Sequence, residues 1–163
     1  AARNLLVSEF VAADHGVEVC RTNRGGNITY HGPGQVVAYP IVKLLEDERD
    51  VGRYVRNLEQ AMIDCCAFFG LAAQRVDGLT GIWVGEQKVG AIGVRFSRWT
   101  ASHGLALNVS TNLDHFGLIV PCGIADRGVC SLQSLGVNVG LADVQQQLTL
   151  NLADTLGRQL VSD

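Results

Sequence analysis

Apolar positions recur along this chain in two rhythms. From Val51 to Phe69, the residues Val51, Tyr54, Val55, Leu58, Ala61, Met62, Cys65, Cys66 and Phe69 repeat at helical spacing, and Gly70 supplies a C-terminal stop. A second helix is predicted over Ala142 to Leu160, where Val144, Leu148, Leu152, Leu156 and Leu160 share one face. Short β-type runs predict strands over Val17-Glu18-Val19, Gln35 to Tyr39 (closed by Pro40), Gly81 to Val84, Lys88 to Phe96 and Trp99 to Asn108. Ser97-Arg98 is placed in a tight turn between the last two strands, and Asn112 is positioned to cap a short helix through Phe116. Strands and helices are mixed without regular alternation, so an α+β fold is expected, a mixed sheet packed by helices rather than a doubly wound one. No repeat, low-complexity tract or linker divides residues 1–163, which read as a single domain.

Composition narrows the function class. Apolar residues make up 47% of the 163, enough for a real core, and a formal charge of −3 gives no basic field for nucleic acid. Five cysteines in no regular spacing read as reduced thiols of a cytosol-like compartment. The chain has no signal-like start and no run of about 18 apolar residues, so neither secretion nor a membrane partner is expected. Many of the 19 glycines fall between Gly25 and Gly34, Gly78 and Gly93, and Gly117 and Gly140; three such clusters could line one cleft.

The candidate chemistry lies in two places. Cys122 is framed by a turn, Pro121-Cys122-Gly123-Ile124, and Lys88 stands out in Gln87-Lys88-Val89-Gly90-Ala91-Ile92-Gly93. An ammonium near such a thiol would favour the thiolate, the form that attacks carbonyl carbon, and the pairing suggests acyl transfer. Taken alone, Lys88 reads as a solvated strand lysine and Cys122 as a buried small hydrophobe. The segment from Arg24 to Gln35 lacks the Gly-Lys-Ser/Thr ending of a phosphate loop, and β-type residues follow it where a dinucleotide fingerprint needs a helix. It could hold an extended ligand through main-chain groups, with Arg24 and His31 adding polar contacts; an ordinary glycine-rich hairpin accounts for the same residues. The histidines and cysteines show no metal-type spacing: Cys65-Cys66 falls on a helix and reads as core, and Cys20 reads as strand packing. No metal is expected.

Four segments, Arg24 through Gln35, Lys88 through Gly93, His103-Gly104-Leu105-Ala106-Leu107-Asn108 and Ile119-Val120-Pro121-Cys122-Gly123-Ile124, resemble in order and spacing the lipoate-protein ligase B family of octanoyltransferases. The resemblance runs from about Asn4 to Leu135. It implies the α+β fold shared by biotin and lipoate ligases, and transfer of an octanoyl group from acyl carrier protein to a lysine of lipoyl domains. The acceptors implied are the lipoyl domains of 2-oxoacid dehydrogenases and the glycine cleavage H protein. Cys122 matches the family's thioester nucleophile, and Lys88 the lysine that lowers that thiol's pKa. Three substrate-binding stretches match Arg24, Gly25, Gly26, Asn27, Ile28, Thr29, Tyr30 and His31, then Ala91, Ile92 and Gly93, then Gly104, Leu105 and Ala106. The resemblance implies no cofactor and a cytoplasmic location, mitochondrial in a eukaryote. His31 and His103 would orient loops or contact substrate, and Cys130 stands where the family usually has threonine, a neutral substitution rather than a second thiol at the site. Family members carry a further N-terminal segment ahead of Ala1, a strand and a loop that helps enclose the site; either this is a truncated product or that part is not included, and loss of the segment would expose apolar surface and reduce or abolish activity. Two other readings stay open: an ATP-dependent lipoate or biotin ligase, which needs no catalytic cysteine, and a non-catalytic domain that binds lipoyl domains or acyl carrier protein.

Overall fold

A computed structural model describes residues 5–6, 8–119 and 128–161. The element order is α1 (Glu9–Asp14), β1 (Gln35–Ala38), α2 (Val51–Phe68), β2 (Gln74–Val76), β3 (Leu79–Val84), β4 (Gln87–Ser97), β5 (Thr100–Asn108) and α3 (Leu141–Thr155), with 3-10 turns at Glu46–Glu48, Leu113–Leu118 and Gln133–Leu135. The strands form one five-stranded sheet in the order β1-β5-β4-β3-β2. Among the described residues the four strand pairs run antiparallel, and the parallel component of the expected mixed sheet is an isolated bridge between Lys88 and Val129.

Helix α2 follows its apolar stripe. Asp50 caps it by accepting from the Arg53 amide at 2.8 Å, a bond that holds the Asp50 carboxyl below its usual range. Leu58, Ala61, Met62, Cys65 and Cys66 are fully buried and meet Val144, Leu148 and Leu152 of α3 over one face of the sheet. Helix α3 stops earlier than its stripe predicts, because Leu156 is its C-cap and Gly157 turns left-handed after it, leaving Leu160 exposed. The turn between β4 and β5 lies one residue beyond its predicted place. Ser97 pairs with Thr100, and Arg98 and Trp99 form the two-residue loop with φ of 46° and 62°, the twist such a hairpin needs. Val17-Glu18-Val19 forms no strand, and Cys20 beside it is exposed instead of packed in one.

One irregularity decides which residues share a face. In the β3–β4 ladder Ile82 pairs with Gly90 but Trp83 pairs with Lys88, so Val89 is an extra residue, a β-bulge. Val89 is in the core, and a Cβ on Gly90 would lie 2.8 Å from the Met62 sulfur, so both of these positions face α2. Strict alternation would put Lys88 on that face as well, with Gly90, Ile92, Val94 and Phe96. The bulge turns it to the opposite face, with Trp83, Ala91 and Gly93.

Candidate active site

The face turned away from the helices is floored by small residues. Ala91 pairs with Ala106 and Gly93 with Gly104 across β4 and β5. The glycine-rich segment lies over this floor: the Gly25 amide donates to the Val94 carbonyl at 2.9 Å, and a Cβ on Gly93 would come within 2.9 Å of Arg24 Cδ and 3.1 Å of the Gly25 carbonyl. Gly104 is as constrained on the β1 side, where a Cβ would sit 2.1 Å from the Ala38 carbonyl oxygen. Next to it, His103 takes a left-handed φ of 59° within β5, and its ring meets Tyr39 edge-on and Asn23 Oδ1 at 3.0 Å. Backbone of this kind is held at a cost and clusters where ligands bind.

Together these groups line an open cleft. The three sequence-predicted stretches meet in it: Arg24, Gly26, Asn27, Thr29 and His31 from the first, Ala91 to Gly93 from the second and Gly104 to Ala106 from the third. Tyr39 and His103 complete the lining. The sequence marks Tyr39 only as the end of a strand, although an aromatic just before a proline is a usable signal. Gly25, Ile28 and Tyr30 do not line the cleft. Tyr30 and Ile28 instead belong to a small apolar cluster with Phe116 and Ile119, where the Tyr30 hydroxyl bonds His115 Nδ1 at 2.7 Å. Burial pushes that hydroxyl's pKa up. Gly26 has φ of 84°, so the obstacle to a side chain there is backbone conformation more than space.

Lys88 is not the solvated strand lysine its isolated reading suggests: it is buried, its ammonium donates to the Thr80 carbonyl at 2.9 Å, and it lies 4.8 Å from the centroid of the Trp83 ring. Its backbone is held by the segment Gly128 to Cys130, since the Lys88 amide donates to the Gly128 carbonyl at 3.0 Å and the Cys130 amide donates to the Lys88 carbonyl at 2.9 Å. A polar chain links this point to the cleft. The Cys130 carbonyl accepts from Asn108 Nδ2 at 2.9 Å, Asn108 Oδ1 accepts from Gln35 Nε2 at 2.9 Å, and Gln35 Oε1 lies 3.0 Å from His31 Nδ1. In the sequence Gln35 and Asn108 end two of the motif segments and fall in strands, with no role assigned to either side chain.

Cys122 lies outside the described residues. The four described cysteines are unsuited to nucleophilic work. Burial pushes Cys65 and Cys66 up to about 12 and Cys130 up to about 11, and exposed Cys20 is raised by its hydrogen bond to the Glu18 carboxylate. Cys130 thus behaves as a packing residue. Among the described residues no cluster of His, Cys, Asp or Glu could hold a metal ion, and no helix is long and apolar enough to cross a membrane.

The sequence profile of the lipoyl protein ligase A/B catalytic domain matches residues 2–153, and the chain belongs to that family. Two relatives are named octanoyltransferase: one from Solibacter usitatus, 51% identical over 92% of this chain, and one from Myxococcus xanthus, 49% identical over 89%. The chain spans 68% of the first relative's length and 43% of the second's. Among solved structures, a lipoate-protein ligase A bound with ATP superposes with a TM-score of 0.74 at 20% identity, covering 96% of this chain and 66% of that one, a likeness of fold.

Proposed function

We propose that this chain is the catalytic domain of an octanoyltransferase that moves an octanoyl group from acyl carrier protein to a lysine of lipoyl domains in protein lipoylation. The observation that carries the reading is the meeting of three separated small-residue stretches over one floor, in a chain half identical to octanoyltransferases. A floor of alanine and glycine leaves room for an alkyl chain, and burying it at ~0.8 kcal/mol per CH₂ gives binding through shape instead of charge.

Chemically, the Cys122 thiolate attacks the thioester carbonyl, and collapse of the tetrahedral oxyanion expels the carrier's thiolate. The acyl-enzyme then passes its acyl group to the ε-amine of the acceptor lysine, and Cys122 leaves as thiolate. Thioester exchange is nearly isoenergetic and amide formation is downhill, so the sequence needs no ATP. A lysine amine has a solution pKa near ~10.4, so a base must take its proton at neutral pH; Lys88, after giving up a proton to the departing carrier thiolate, fills that role. Two features support Cys122 as the nucleophile: the raised pKa of each described thiol, and the bonds between Lys88 and Gly128 and Cys130, on the chain that follows it.

The test is intact mass after mixing with octanoyl acyl carrier protein. One octanoyl adduct on the peptide containing Cys122 is expected, without ATP. An adduct that maps to Cys130 or persists in Cys122→Ala overturns the assignment, and lipoyl-domain modification by Cys122→Ser that depends on ATP establishes a ligase instead.

A further inference from the structure

A single peptide group connects a buried carboxylate to the site lysine. The Thr80 carbonyl accepts from Lys88 Nζ at 2.9 Å, while the amide on the other side of the same Thr80-Gly81 peptide donates to Glu59 Oε1 at 3.0 Å. Glu59 is only 5% exposed on α2, and its second oxygen accepts from Arg75 Nε at 3.0 Å. Arg75 is itself fixed by bonds to the Arg56 carbonyl and Gln60 Oε1, both at 2.9 Å. Gly81 has φ of 109°, and a Cβ there would lie 2.5 Å from the Gly90 carbonyl oxygen and 3.3 Å from Lys88 Cε, so the peptide adopts this orientation only with glycine.

We propose that Glu59 is a positioning residue for Lys88, acting through the Thr80-Gly81 peptide. The inference rests on the octanoyl-transfer reading for its catalytic meaning. A carboxylate oxygen bonded to the N–H both fixes the plane of the peptide and polarises it, so the carbonyl at its other end becomes a better acceptor for the ammonium. Without that bond the peptide is free to rotate, and Lys88 loses a fixed partner on the β3 side. Simple anchoring of β3 to α2 requires the Gly81 bond alone and leaves Lys88 indifferent to what occupies position 59.

The difference is measurable because Lys43 and Lys88 are the only lysines in the chain. In protein labelled with ¹⁵N-lysine, hydrogen exchange of the two Nζ groups is followed by NMR, with exposed Lys43 as internal reference, alongside the rate of octanoyl transfer. Three variants separate geometry from charge. Glu59→Asp keeps the charge but is one methylene short of Gly81, Glu59→Leu removes the acceptor, and Glu59→Gln with Arg75→Leu keeps a neutral acceptor and removes the guanidinium that would face the new amide. Loss of one hydrogen bond to a charged group predicts about tenfold faster Lys88 exchange and about tenfold slower transfer in the Asp and Leu variants. The Gln/Leu variant should recover most of both. If Glu59→Leu fails to fold, as judged by circular dichroism, the Asp and Gln/Leu variants still decide. Unchanged Lys88 exchange in Glu59→Asp, or loss in Gln/Leu with retention in Asp, overturns the relay. A parent protein that shows the exchange pattern but transfers no octanoyl group overturns only the octanoyl-transfer reading.

Discussion

The two faces of the sheet are built on opposite rules. The helix face is filled by large side chains, Ile82 and Val89 buried completely and Ile92, Val94 and Phe96 in part, and its positions are defined by volume. The cleft face is made of Ala91, Gly93, Gly104 and Ala106, where what matters is the absence of side chains, and a strand-length loop occupies the space left over. The first face makes the fold stable and the second makes it a receptacle. Substitutions on the two faces should therefore fail in different assays.

The sharpest contrast comes from the proposed nucleophile. Cys122→Ala should reduce octanoyl transfer by more than about a thousandfold, as loss of a covalent catalyst does, with the thermal unfolding midpoint unchanged. On the helix face, Leu58→Ala should cost about 2–5 kcal/mol in a denaturant titration and leave the activity of the folded fraction nearly intact. A large activity loss at low denaturant would show that the faces are coupled. Gly93→Val reverses that pattern: its side chain must displace Arg24 and the Gly25 carbonyl, so acyl-enzyme formation should fall about tenfold or more while stability changes by less than in Leu58→Ala. Asn108→Leu tests the seam between faces. It strands the Cys130 carbonyl and the Gln35 amide, costing about 1–3 kcal/mol, and should also slow acyl transfer, since the same bonds tie the glycine-rich loop to the Lys88 strand. Equal losses in stability and none in rate would make it purely structural.

The smallest effect is expected far from the cleft. Arg158 grips Glu48 with two bonds of 2.7 and 2.8 Å and holds its carboxyl at about 2, against 4.5 for a free group. A carboxyl depressed by folding stabilises the native state above its free pKa, and that contribution is lost as pH falls from about 4.5 toward about 2. Arg158→Met should thus slightly lower the melting temperature at pH 7, have no effect near pH 2, and leave octanoyl transfer alone; both groups are exposed enough for solvent to screen the pair.

Legibility in the sequence followed the same division. The helix face was readable because burial is periodic: the α2 stripe and the β3–β5 strands appeared within a residue or two of their predicted places. Elements whose ends depend on backbone conformation were not. Arg98 and Trp99 occupy left-handed turn positions that favour Gly, Asn or Asp, so composition pointed to the wrong pair. Strand β2 was overlooked although Asp77-Gly78, between Arg75-Val76 and Leu79-Thr80, is a strong hairpin signal. The cleft lining came mostly from motif resemblance. Its supports, Tyr39, Gln35, Asn108 and Glu59, escaped because each is an ordinary residue whose meaning depends on a partner distant in sequence.

The bulge at Val89 has a consequence for comparing chains by eye or by profile. Because one inserted residue reverses the facing of everything before it, the informative spacing runs from Lys88 to Ala91, an interval of three, and not the even interval of an unbroken strand. A related chain without Val89 keeps lysine and alanine on one face by simple alternation, at an interval of two, whereas a chain that keeps the interval of three but pairs without the bulge drives its lysine toward Met62. The side of the molecule on which the amine lies is therefore set by the spacing and the pairing together.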